Sequence, residues 1–189
     1  MKKRFEASLY FLLGLVGLGG AGKALAVNDV FLCADGVEGA SQAEGYQNCI
    51  DVLAWSWGAA VPISTAGGTT GREAGKASAQ DLSLTKFVDK ASPVLMSRLV
   101  VGDVIPKVEL IVASCELDCK TGTTETIKLT LTDVLVSSQS LGGAAAEVPT
   151  ESVSLNFTKV EYCYTGTDKS GVPETPICTT WDIAANKVN

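Results

Sequence analysis

The sequence predicts a mainly β protein: a small closed β-barrel of about eight strands with one short flanking α-helix. Three patterns lead there. Apolar residues recur at every second position in several separate stretches, the period of a strand whose side chains alternate between two faces. Two long runs, 125–139 and 151–165, change the phase of that alternation part-way. A bulge or sharp bend does this, so the sheet should curve round on itself. Only one stretch, after Ser92-Pro93, has helical spacing.

The fold is not expected to begin at Met1. Met1-Lys2-Lys3-Arg4 is a basic start, Ser8 to Leu18 an apolar run, and Ala24-Leu25-Ala26 a small-residue cleavage site. Together they read as a signal peptide, residues 1–26, removed after Ala26, with one domain over residues 27–189. The apolar run falls short of the roughly 18–20 residues a membrane span needs, so no membrane association is expected after cleavage. A lipoprotein reading fails because Leu32 precedes Cys33 where lipid attachment wants a small residue. Gly17 to Ala24 fits two phosphate-loop patterns, but no strand precedes it and Ala24 stands where a Ser or Thr is required.

Val27 to Cys33 opens the barrel, and Ala34 to Asn48, rich in Gly, Ser, Glu and Gln, is expected as an exposed loop. Ile50 to Gly58 alternates, with Leu53, Trp55 and Trp57 on one face and Val52, Ala54 and Ser56 on the other. The two tryptophans are expected in the core. Gly58 to Lys76 reads as a long flexible interaction loop carrying Gly58, Pro62, Gly67, Gly68, Gly71, Arg72 and Lys76, because a structureless loop of that length in a compact domain is functional or disordered. Ala77 to Val88 resumes strand character. Ser92 is the expected N-cap, Pro93 the first helical residue and Gly102 the stop, with Leu95, Met96 and Leu99 as the packed stripe. Lys107 to Ser114 is apolar on both faces, hence buried. Glu125 to Gln139 and Glu151 to Thr165 are the two long phase-changing strands, and Ile177 to Ile183, with Trp181, closes the sheet.

The full chain carries a formal charge of −6, and the predicted cleavage removes four basic residues and one acidic, leaving −9. Such a chain, without a long basic cluster, is a poor partner for nucleic acid or anionic membranes. All six cysteines follow the cleavage site. An even number behind a signal peptide implies disulfides formed in an oxidising compartment. Sequence order favours nearest-neighbour pairs: Cys33–Cys49, Cys115–Cys119 and Cys163–Cys178. Zinc is disfavoured by these spacings and by the absence of histidine; no metal or other cofactor is expected. Without histidine the commonest general base is missing. Asp51, Asp81 and Asp133 could serve as paired carboxylates, but they lie on separate strands and read better as solvated or hydrogen-bonded strand-end acids. No enzyme activity is expected.

Ile50-Asp51-Val52-Leu53-Ala54-Trp55-Ser56-Trp57-Gly58 resembles the signature strand of the Hcp family, the haemolysin-coregulated tube proteins of type VI secretion. Similar blocks follow in the family's order: Gln80 to Lys90 on through Ser92-Pro93 to Leu95-Met96, then Asp133 to Ser138, Thr150 to Phe157, and Trp181-Asp182-Ile183. The resemblance implies a β-barrel with one flanking helix. It implies hexameric rings that stack into a tube and carry effectors through the lumen, so the implied partners are further copies of the chain, secreted effector proteins and other type VI components. Family members are enzymes only where a toxin domain is appended, and this chain stops just after its last strand. The segment Gly58 to Lys76 takes the place of the family's extended loop, which contacts the neighbouring ring. Typical members lack a cleavable signal peptide and six cysteines. The expectation is therefore an exported structural protein, periplasmic or secreted; the alternative is a periplasmic or extracellular binding module that reuses the barrel.

Overall fold

The computed structural model describes residues 27–65, 72–115 and 123–189. The expected signal peptide, the expected Cys115–Cys119 bridge, and Gly67, Gly68 and Gly71 of the expected interface loop lie outside the described residues.

Six strands form a closed ring of ladders. β1 (Val27–Ala34) pairs with β8 (Ile105–Cys115) on one side and, briefly, with β2 (Ile50–Ser56) on the other. From β2 the order runs to β7 (Leu82–Phe87) and β10 (Thr150–Asn156), and β10 returns to the far half of β9 (Thr124–Gly142), whose near half pairs with β8. β11 (Lys159–Tyr164), β12 (Ile177–Asp182) and β13 (Lys187–Val188) extend the sheet outward from β9. The ring is thus built of six strands rather than about eight, the others lying outside it.

The phase changes mark where the sheet folds. β9 buries Leu129 and Leu131, then Val134 and Val136, with Asp133 between them at a positive φ of 52°. Its neighbour β8 bends beside it, burying Ile105 and then Val108. The expected long strand 151–165 is broken at the same level into β10 and β11. The path was right but the continuity was not: the register to β9 runs straight through the break, Asn156 opposite Leu135 and Lys159 opposite Thr132. Phe157 turns into the core at the break, and the Thr158 N–H bonds the Thr132 carbonyl. The bend lets one continuous line of chain serve both sides of the ring.

The tryptophan strand departs from its expected phase. Ile50 and Val52 face the core, a register shift against β7 falls between Val52 and Ala54, and Leu53 is left 50% exposed. Past the bulge Trp55 and Trp57 turn to the core side, partly buried, Trp57 tilted against Phe157. Leu53 therefore does not share a face with them. A bulge adds one residue to one strand and flips everything beyond it.

A second, smaller cluster sits on the outer face of β1 and β8. Phe31 stacks on Tyr46 with ring centres 4.3 Å apart, beside Cys49, Ile111 and Ala113. This is why β8 is apolar on both faces. It also corrects the exposed-loop expectation for 34–48: Val37, Ser41 and Tyr46 are buried. Backbone bonds from Gly39 to Asn48 and from Ser41 to Cys49 fold the segment back on itself, and a Cys33–Cys49 disulfide ties it to β1.

The helix α1 (Ser92–Val101) packs along β9 and sends Leu95 into the core. It stops at Gly102, which takes the left-handed conformation and donates its N–H to the Arg98 carbonyl. Ser92 is not the N-cap. Ala91 holds that position without a side-chain bond, Asp89 Oδ1 accepts the Ala91 N–H, and the Ser92 hydroxyl is engaged elsewhere.

Candidate assembly surface

Three features outside the apolar core give the molecule its chemistry: a buried ionic latch, a hydroxyl-lined sheet face and a projecting arm.

The latch is centred on Lys86, fully buried next to the end of β7. Its ammonium reaches Glu151 Oε1 at 2.6 Å, Asp89 Oδ1 at 2.7 Å, the Phe87 carbonyl at 2.8 Å and Ser92 Oγ at 3.2 Å. Glu151, directly across from Lys86 on β10, also accepts from the Ser92 hydroxyl at 2.8 Å and from Gln139 Nε2 at 2.7 Å. Burial pushes the Glu151 carboxyl up, but the bonds from Lys86, Gln139 and Ser92 and the Lys86 charge outweigh it, holding the group below the usual carboxylate range. The network joins β7, β9, β10 and the start of α1, so it locks the helix to the ring. Its central pair, Lys86 and Glu151, is closed to solvent. The sequence reading missed it, since Lys86 and Glu151 look like ordinary surface charges; the only hint was that both stand in phase with core residues, Leu84 and Val153.

On the opposite face of the same sheet two rows of side chains are small and mostly hydroxylic, with Phe87, 45% exposed, beyond them at the end of β7. Ser56, Ser83 and Ser154 lie in one row across β2, β7 and β10, and Ala54, Thr85 and Ser152 in the next. Ser138 and Ser140 continue the rows onto β9. Ser83 and Ser154 are hydrogen-bonded to each other at 3.3 Å. A shallow depression of about 310 Å³ lies over the rows. None of the residues in the rows is charged or large. The signal was present in the sequence as alternate Ser and Thr positions.

The arm replaces the expected flexible loop. The β2–β7 ladder does not end at the ring. The Gln80 N–H bonds the Gly58 carbonyl, β3 (Ala59–Ala60) pairs with β6 (Ser78–Ala79), the Gly75 N–H bonds the Pro62 carbonyl, and β4 (Ile63–Thr65) pairs with β5 (Arg72–Ala74). Gly75 is needed for close approach: a Cβ there would meet Pro62 Cγ at 2.8 Å. Pro62, Arg72 and Lys76 are all exposed on this ribbon.

The carboxylates considered for catalysis are spread apart. Asp81 accepts from Ser137 at 2.5 Å and Asn156 at 2.7 Å, tying β7's entry to β9 and β10. Asp133 accepts from Thr158 at 3.2 Å across the bend, and Asp51 sits where β2 crosses from β1 to β7. Among the described residues no hydrogen bond brings two of the three to one group.

A mainly β ring with one helix is a fold this chain shares with known proteins. The family model for the type VI secretion system effector Hcp matches residues 31–164. The chain belongs to the Hcp family. Protein hcp1 of Pseudomonas aeruginosa is 37% identical over 160 residues, covering 84% of this chain and 96% of that protein. The chain is similar in structure to a type six secretion system protein, with a TM-score of 0.79 at 29% identity, covering 86% of this chain and 100% of the other. It is also similar to Hcp1 from Salmonella typhimurium, with a TM-score of 0.69 at 29% identity over 86% and 99% of the two chains. The Hcp match takes in the latch, the hydroxylic face and the arm. Cys178 lies beyond it. Cys178 is bonded to Cys163, its direct partner across β11 and β12. Among the described residues no helix is long and apolar enough to cross a membrane.

Proposed function

We propose that this chain is an exported, non-catalytic Hcp subunit that assembles into hexameric rings, stacks them through its arm, and passes effectors across its hydroxylic face. The observation that carries this reading is the Hcp match over the whole ring and arm. A surface for passing cargo has to avoid holding it. The Ser and Thr rows supply weak, uncharged, exchangeable contacts, so these rows across β2, β7, β10 and β9 are the natural lumen wall, with Phe87 at their margin. Export is supported by the basic and apolar start of the chain and by two bridges, Cys33–Cys49 and Cys163–Cys178, which need an oxidising compartment. Size-exclusion chromatography with light scattering on oxidised residues 27–189 should give a six-subunit mass; a strict monomer at high concentration rejects the ring.

The disulfides and the leader favour one second reading, a periplasmic or extracellular binding module built on the same barrel, with the arm as its contact. Replacing Gly58–Lys76 by a short turn separates the two. A binding module loses its partner with no change in its own mass, whereas a tube subunit keeps its ring and loses only larger assemblies.

A further inference from the structure

We propose that the arm of one copy seats in a crevice between β1 and β2 of another, so that the chain carries both halves of its own inter-ring joint. This rests on the ring reading above and names the acceptor for the arm.

The acceptor is a place where the ring is not fully laced. β1 is paired along its whole length with β8, but it meets β2 only at Phe31–Asp51 and Leu32–Ile50. Beyond those pairs no ladder joins the start of β1 to β2 past its bulge. A crevice of about 350 Å³ opens there, bounded on one side by the folded-back loop at Ser41 to Ala43. Val30 and Val52 line it, and the exposed carboxylates Asp29 and Asp51 and the half-exposed Leu53 stand at its edge. Strand edges without a sheet partner are the usual acceptors for an added extended segment.

The arm has the matching chemistry on one face only. The pairing of Ile63 with Ala74 and Thr65 with Arg72 sets the alternation, and the Gly75–Pro62 bond continues it to Val61 and Lys76. Val61 (43% exposed) and Ile63 (65% exposed) therefore share a face with Arg72 and Lys76, while Pro62, Ser64, Glu73 and Gly75 occupy the other. Two apolar side chains framed by two cations face a site of aliphatic residues framed by two carboxylates. The ribbon continues the β2–β7 ladder away from the ring, so the crevice it fills belongs to another copy. The chain as a whole is acidic, so copies repel unless opposite charges are brought together locally; such pairing fixes register and partner more than raw affinity.

The test couples contacting amines to carboxylates with a carbodiimide in a mixture of isotopically light and heavy mature chain, read by mass spectrometry of peptides. The expected result is Lys76 joined to Asp29 or Asp51 between a light and a heavy copy. In parallel, R72E/K76E and D29K/D51K should each leave the ring mass intact and abolish assemblies larger than a ring, and the four changes together should restore them. Rings that form without Lys76 coupling to either aspartate overturn the inference, as do reversals that leave large assemblies unchanged or a combined variant that fails to restore them. Absence of the ring itself would instead reject the reading on which the inference rests.

Discussion

β2 and β7 form one ladder with two lives. Inside the ring they bury Ile50, Val52, Leu82, Leu84 and Lys86 between β1 and β10; past Gly58 and Gln80 the same pair runs on with nearly every side chain in solvent. The inner half is fixed by packing and by the latch, and the described outer half mainly by backbone bonds, with one from the Ser78 hydroxyl to the Ala60 carbonyl. Most stability in a sheet comes from burial and cross-strand packing, not from the ladder itself. The difference therefore separates fold from contact: the inner half should be intolerant of change, and the outer half free to vary without unfolding.

The sharpest way to break this contrast is Lys86→Ala. It leaves Glu151 ionised and buried without its partner, and should cost about 3–5 kcal/mol by chemical denaturation. Lys86→Met with Glu151→Leu should cost much less than the single change, because the fully buried carboxylate leaves with its partner and the remaining one, Asp89, reaches solvent and keeps the Ala91 N–H. Leu84→Ala, on the same strand, should cost about 2–4 kcal/mol from lost burial plus the cavity left behind. Removing the outer bridge with Cys163→Ser and Cys178→Ser should cost about 3 kcal/mol by freeing a loop of about 15 residues in the unfolded chain, without altering the ring strands. The latch should also make stability acid-sensitive. Glu151 has its folded pKa held below its unfolded value, so its contribution is complete above the unfolded carboxylate pKa and is lost as pH falls through the lower, folded one. Glu109 acts in the same direction: burial raises its pKa, but Lys128 and Lys107 lower it further. Denaturation midpoints should fall on acidification in the wild type and fall less steeply in the Lys86→Met/Glu151→Leu variant. Smallest of all, Ile63→Ser on the arm should change stability by no more than about 0.5 kcal/mol, as an exposed substitution does, while weakening assembly beyond the ring.

Much of this was legible in the sequence because it depends on periodicity. The phase slips at Leu131–Val134 and near Phe157 announced the bends, Gly102 announced the helix stop, and the Cys33 and Cys163 spacings matched their bridges. What was not legible depends on pairing. The bulge at Leu53 is one extra residue against β7, and no single strand's pattern shows it. Arm residues such as Gly, Ala and Ser have low strand propensity, so the ladder there exists only because β2 and β7 hand it their register. Lys86 and Glu151 read as solvated charges until the pairing of β7 with β10 places them face to face. Ser92 reads as a cap from the sequence, but Ala91 takes the N-cap position and the Ser92 hydroxyl belongs to the latch.

The claim that ring and arm are separable parts of one assembling subunit is tested most directly by measuring the mass of oxidised residues 27–189 by light scattering, with and without the segment Gly58–Lys76. The expected result is a six-subunit mass for both chains and larger assemblies only for the intact one. A monomer in both, or loss of the ring on removing the arm, would contradict it.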